Sequence, residues 1–196
     1  AYKDRVVGTE ILNITRNIKQ TNDRIKQMQN GEFYQSIQSQ LEVQKDIKIQ
    51  QDKLKGFETR LDEYYGLLGN TLDLSNTTIT DAELNTLIKQ IPEPKKKNLT
   101  TLNLFGCRGL TEFPDLSQLT SLTNLNLVCI GLTNGGIQTL SQLTSLTTLS
   151  LVCIGLTNGG IQTLSQLTHL TSLQTLYLTG CSELTDEGIQ ALSQLT

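Results

Sequence analysis

The sequence predicts an α/β solenoid, in which short parallel strands are each followed by a turn and a short helix, preceded by an antiparallel α-helical hairpin. Three observations predict it. Leucines recur in an LxxLxL pattern whose second members are Leu72, Leu102, Leu125, Leu149 and Leu176, at intervals of 30, 23, 24 and 27 residues. The stretch LVCIGLTNGGIQTLSQLT occurs verbatim at residues 127–144 and again at 151–168. Charge is also unevenly spread: residues 1–65 carry 11 Lys/Arg and 10 Asp/Glu, whereas no charged residue lies between Asp115 and Glu183. That shift near residue 66 marks two architectures, 1–68 helical and 69–196 repeated. A verbatim repeat is either a site used twice or a brick that stacks on its own copy. One strand–turn–helix unit cannot bury its apolar face alone, and stacking builds a continuous core. The brick reading is preferred.

The helical half comes first in the chain. Val7, Ile11, Ile14, Ile18, Thr21, Ile25 and Met28 alternate in steps of four and three, which is a heptad seam with one polar interruption. Asn30-Gly31 ends that helix, because a glycine just past the last turn accepts the left-handed conformation. A second amphipathic stretch runs from Glu32 to about Leu68, with Leu54, Phe57, Leu61, Tyr64 and Leu68 on one side and glutamines diluting its middle. The seam has three uses open to it: capping the first repeat, pairing with another copy of the chain as a homodimer, or docking a partner's helix. Arms of ~26 and ~35 residues reach ~40–50 Å at 1.5 Å per residue, more than one repeat end needs. Self-association or partner binding is therefore preferred over capping alone.

In the repeated half the predicted strands are Gly69–Leu74, Leu99–Leu104, Leu122–Leu127, Leu146–Leu151 and Leu173–Leu178. Ile189, Leu192 and Leu195 then show helical spacing, with Thr185 or Asp186 as the N-cap. The second unit, with TEFPDLSQLTSL, is too short and proline-interrupted for a full helix and should be extended or 3₁₀ on that side. The insertion IPEPKKKN (91–98) holds the only basic run and reads as a solvated loop.

The stretches LYLTGCSELTDEGIQALSQL (176–195) and LNLFGCRGLTEF (102–113) resemble leucine-rich repeats. Their LxLxxCxxLTDxG form is similar to the cysteine-containing subfamily of F-box adaptors and of proteins from intracellular bacteria. The resemblance covers residues 69–196 in about five units. It implies strands on a concave side, short helices on a convex side, and inward Cys107 and Cys181. The two middle units depart from it: the inward slot holds Ile130 and Ile154, and Cys129 and Cys153 move one residue earlier. Strands ~4.8 Å apart would make these two thiols neighbours. Free thiols are the preferred reading, a disulfide or a shared soft metal the other.

With the leucines inward, alternate residues line the other face. One column reads Asp73, Asn103, Asn126, Ser150, Tyr177; the next Ser75, Phe105, Val128, Val152, Thr179; a third Thr71, Thr101, Asn124, Thr148, Thr175. The face is rich in Thr, Asn and Ser, with an apolar stripe Phe105–Val128–Val152 and Tyr177 beside it. Exposed aromatics among hydrogen-bonding side chains suit protein recognition. The expected contacts are Phe105, Val128, Val152, Tyr177, Asn103 and Asn126.

Other functions find little support. Net charge is −3, so no positive field favours nucleic acid. No run of ~18 apolar residues spans a membrane. The chain opens on Ala1-Tyr2-Lys3-Asp4 without a signal pattern and reads as a processed chain or fragment. His169 is the only histidine and lies away from the cysteines, and Arg108 sits in an ordinary turn, so no catalytic residue is assigned. GlyGly at 135–136 and 159–160 lacks the Lys and Ser/Thr of a phosphate loop and simply permits a turn. No metal or cofactor is expected. The sequons at Asn13, Asn76 and Asn98 matter only in a secretory compartment.

These readings converge on a non-enzymatic protein-interaction module. The resemblance implies the binding part of a bacterial effector, secreted into the host cell cytoplasm to bind a host protein. The alternatives are a substrate-receptor fragment of a ubiquitin ligase, its recruiting domain outside this chain, and a structural dimeric scaffold. No F-box pattern is visible in residues 1–68, which weakens the ligase reading.

Overall fold

A computed structural model describes residues 2–30, 37–111, 116–128, 139–152, 170–180 and 185–194. It contains two compact units. Residues 10–67 form one; residues 68–196, together with residues 1–9, form the other.

Helices α1 (Tyr2–Gln29) and α2 (Ile37–Leu67) make up the first unit, apart from the opening turns of α1. The seam of α1 is buried at Ile11, Ile14, Ile18, Thr21 and Ile25, with Met28 half-buried. Leu12 and Thr15 are buried as well, and the Thr15 hydroxyl donates back to the Ile11 carbonyl at 2.9 Å. The apolar stripe is thus wider than a strict heptad seam. Glu10 near the start of α1 meets Arg60 near the end of α2 at 3.8 Å, while Gln29 lines a groove with Leu41 and Ile47. The two helices therefore run in opposite directions. Along α2 the buried residues are Ile47, Gln50, Leu61 and Tyr65. Tyr65 takes the place expected of Tyr64, which is only half-buried, because the step of four from Leu61 continues the same helical face.

Tyr65 carries a cost. It is 4 % exposed, and its hydroxyl has no hydrogen-bond partner among the described residues. Burial, reinforced by the Asp62 carboxylate, pushes the phenol pKa well above its ordinary value. A group held neutral in this way contributes stability that is present below its unfolded pKa of ~10 and lost as pH rises beyond it. Tyr65→Phe removes an unsatisfied oxygen without opening a cavity, so thermal unfolding should show a gain of about 1 kcal/mol. The gain should widen above pH ~10.

The second unit is built on one five-stranded sheet, β1 (Thr71–Asp73), β2 (Thr101–Leu104), β3 (Asn124–Val128), β4 (Thr148–Val152) and β5 (Thr175–Thr179). The strands lie in chain order and every neighbouring pair is parallel. Parallel neighbours need a crossover, and the segments between the strands provide it. Register follows the leucines: Leu72, Leu102, Leu125, Leu149 and Leu176 stand side by side. A one-residue slip would turn every leucine out of the core, so the pattern pins the pairing. Leu72, Leu74, Leu102, Leu104, Leu125, Leu127, Leu149 and Leu151 are all essentially buried. At β5 the matching Leu176 and Leu178 are only half-buried.

After β1 comes α3 (Asp81–Gln90). The Thr80 hydroxyl accepts from the Glu83 amide, and the Glu83 carboxylate accepts from the Thr80 amide at 3.0 Å. This reciprocal pair satisfies two otherwise orphaned donors and sets the helix start. Leu84, Leu87 and Ile88 face the core. The turn after β2 needs Gly106, whose φ of +73° a side chain would resist and whose Cα side faces the Asn76 side chain. Thr139–Gln142 and Leu192–Gln194 are short 3₁₀ turns, and α5 (Asp186–Ala191) follows β5 with Thr185 as its N-cap residue.

The basic insertion is not a loop. Glu93–Asn98 forms a short helix, α4, with Pro94 near its start, where a missing amide hydrogen costs nothing. Lys96 is 3 % exposed, and its ammonium reaches the Lys89 carbonyl, Glu93 Oε1 and Gln118 Oε1 at 3.3, 2.8 and 2.7 Å. Lys95 donates to the Leu68 carbonyl at 2.9 Å. Two of the three lysines therefore tie segments together, and only Lys97 is fully exposed. A run of like charges reads as solvated unless its acceptors are known, and two of these, the Leu68 carbonyl and Gln118 Oε1, come from residues distant in sequence.

Candidate interaction face

Along β2 burial alternates between half-exposed Thr101 and Asn103 and buried Leu102 and Leu104. The side chains opposite the leucines form a separate face. Its register places Asp73, Asn103, Asn126, Ser150 and Tyr177 in one column, and Val128, Val152 and Thr179 in another. Phe105 follows β2 directly and is 45 % exposed; Tyr177 on β5 is 58 % exposed. From β2 to β5 is three strand spacings, so the strands that carry them lie about 14 Å apart across the sheet. The backbones of Val128 and Val152 pair in register; their side chains fall outside the described residues.

The end of the face near β1 is internally hydrogen-bonded. Asp73 Oδ1 accepts from the Ser75 amide and from Asn103 Nδ2, both at 3.0 Å. Asn103 Oδ1 in turn accepts from the Phe105 amide at 3.1 Å. Asn103 is thereby committed on both sides of its amide and holds the backbone that presents Phe105. Asp73 is 7 % exposed, so the one carboxylate of this column is largely withdrawn from the surface. Asn126 is half-buried, and its Oδ1 is buried without a hydrogen-bond partner among the described residues. Asp73 and Ser75 are the working residues that column reading alone did not single out. The signal was the Asp-x-Ser spacing, which lets a side-chain oxygen cap an amide two residues on.

Cys107 lies behind this face. It is fully buried, its thiol 3.2 Å from the Leu74 carbonyl and 3.6 Å from Thr77 Oγ1. Burial pushes its pKa up, against the lowering effect of the Thr77 contacts. A neutral thiol donating to a carbonyl is structural, not nucleophilic. Cys129, Cys153, Cys181 and His169 lie outside the described residues. Arg108 is exposed in a turn. Among the described residues no three His, Cys, Asp or Glu side chains gather to hold a metal, and no helix is long and apolar enough to cross a membrane.

A groove belongs to the helical unit. It is an open groove of about 740 Å³ with Gln29 from α1 and Leu41, Gln44, Ile47, Lys48 and Asp52 from α2 on its walls. Its lining mixes both charge signs with two aliphatics, without the buried polar group that would orient a small ligand.

Comparison with protein-family models, curated proteins and solved structures finds no match to this chain.

Proposed function

We propose that the protein is a non-enzymatic protein-interaction module. In this reading residues 69–196 are a leucine-rich-repeat stack, residues 1–68 are an antiparallel helical hairpin, and the sheet face opposite the leucines binds the partner. The observation that carries the reading is the pair of exposed rings, Phe105 and Tyr177, on a face whose one column carboxylate is buried. Aromatic anchors on a rigid sheet lose little side-chain entropy on binding, and such residues dominate interface energetics. The column of Thr, Asn and Ser supplies hydrogen bonds around them. The repeat resemblance supports a secreted bacterial effector as the parent protein and a host protein as the partner.

The test is a quantitative pull-down from eukaryotic cell lysate with the parent and a Phe105→Glu/Tyr177→Glu variant. Both positions are exposed, so the variant should keep its circular dichroism and unfold within about 0.5 kcal/mol of the parent. A protein retained by the parent should bind the variant at least about 30-fold more weakly, as expected for loss of two anchor contacts. Equal retention by both chains would sink the face as the binding site.

A further inference from the structure

The heptad seam of α1 is used up inside the chain, with Ile11, Ile14, Ile18, Thr21 and Ile25 all buried. That seam is not open to a second copy. The outer side of α2 is. At 100° per residue, Leu41, Lys45, Lys48, Ile49, Asp52 and Gly56 fall within an arc of about 100°. The buried Ile47, Gln50, Leu61 and Tyr65 lie on the opposite side of the helix. Every residue of the arc is exposed, Leu41 to 61 % and Ile49 to 49 %. The groove described above follows this side, with Leu41, Lys45, Lys48 and Asp52 on its wall.

Gly56 has no explanation within the chain. Glycine is among the poorest residues for a helix interior, yet a Cβ built on Gly56 would meet nothing within 4 Å. No close approach among the described residues requires it.

The arc is symmetric in what it carries. Leu41 and Gly56 are centred on the same point as Lys45 and Asp52, midway between Lys48 and Ile49. Laid antiparallel on a second copy about a two-fold axis at that point, α2 sets each Leu41 beside the bare backbone at the other copy's Gly56. The same register sets each Lys45 beside the other copy's Asp52. A parallel pairing would instead bring Lys45 against Lys45 and Asp52 against Asp52. The two Ile49 side chains meet at one edge of the centre. The two Lys48 side chains lie at the other edge, each within about one turn of an Asp52 on either helix. Their stems cover apolar surface while the ammonium groups stay in water.

We propose that the outer face of α2 is a homodimer interface: two copies pair antiparallel about the point between Lys48 and Ile49, with Leu41 seated over Gly56 and Lys45 opposite Asp52. Such an interface is isologous and closes at two copies. Its exposed charge pairs set direction and register more than affinity, and the aliphatic contacts supply the attraction. It is separate from the sheet face and does not rest on it.

Sedimentation velocity over a concentration series tests the interface on the full chain. The parent should pass from one copy to two as concentration rises, and no further. Gly56→Gln should weaken the dimer at least about tenfold, because the new side chain fills the space that Leu41 takes. The same variant should unfold no more easily than the parent, since glutamine is the better helix former, so loss of the dimer is not loss of the fold. Lys45→Glu and Asp52→Lys should each weaken the dimer about fivefold by setting like charges together. Mixing those two variants should restore it, because each then offers the other the opposite charge. A parent that sediments as one copy at every concentration would overturn the proposal and leave the face to a helix of another protein. A dimer that Gly56→Gln leaves intact, growth past two copies, or charge variants that stay apart when mixed would overturn it equally.

Discussion

Truncating Leu125 to alanine is expected to cost about 3 kcal/mol of unfolding free energy, while the same truncation at Leu176 costs about 1 kcal/mol or less. The two residues share one position of the LxL pattern and stand in the same register row. Their surroundings differ. Leu125 is 1 % exposed between Leu102 and Leu149, both buried, so removing its methyls leaves a hole that flanking leucines on two strands line. Among the described residues Leu176 has a strand partner in β4 alone, and it is half-buried. Part of the space it vacates is filled by water, and the cavity term largely disappears. Urea denaturation of the two variants beside the parent gives the comparison directly. Equal losses would show that the leucine rows are not packed as the burial gradient requires.

Loss of Lys96 ranks second. Lys96→Ala should destabilise the protein by about 2–3 kcal/mol, because a buried ammonium with three acceptors is replaced by a void. The Lys89 carbonyl and Gln118 Oε1 lose their donor, whereas Glu93, 70 % exposed at its side chain, returns to water. The loss therefore falls on the junction between the end of α3, α4 and the turn at Gln118, and not on an ion pair. Lys96→Met keeps the buried stem and should recover part of it. The Glu93 carboxyl is held below its ordinary pKa first by the hydrogen bond from Lys96 and then by its charge. That contribution is present above the unfolded carboxylate pKa and is lost as pH falls through the folded value. Chemical denaturation at neutral pH measures the main effect. An Ala variant as stable as the parent would mean that water satisfies the same acceptors.

Both variants bear on how the proposed binding face is held. Phe105 is presented by a chain of hydrogen bonds from Ser75 and Asp73 through Asn103, and those residues stand on strands whose leucines form the core. A change that loosens the leucine rows should weaken partner binding without touching the face, and stability measurements separate that route from loss of a contact.

What the sequence determined by itself is the periodic part. Leucines at every second strand position select one face and one register, because any slip exposes them all. The intervals between units fix the spacing of the strands, although each strand begins two residues later than the leucine pattern does, and the steps of three and four in residues 7–28 fix which side of α1 is buried. These signals are local and repeat, so they can be read without knowing any neighbour. Tertiary structure decided everything that depended on a single partner distant in the chain. Lys96 is buried only because Gln118 and the Lys89 carbonyl meet it. Asn103 supports the face only because Asp73 lies in register beside it. Gly8 looks like a weak point in a helix until the Asp73 carbonyl is found against it. Tyr65 and Tyr64 are indistinguishable as letters, and the packing of one helical face chose between them. A pattern of hydrophobicity specifies burial cheaply because it acts on many residues at once, whereas a lone polar contact leaves no periodic trace and exists only once the chain has folded.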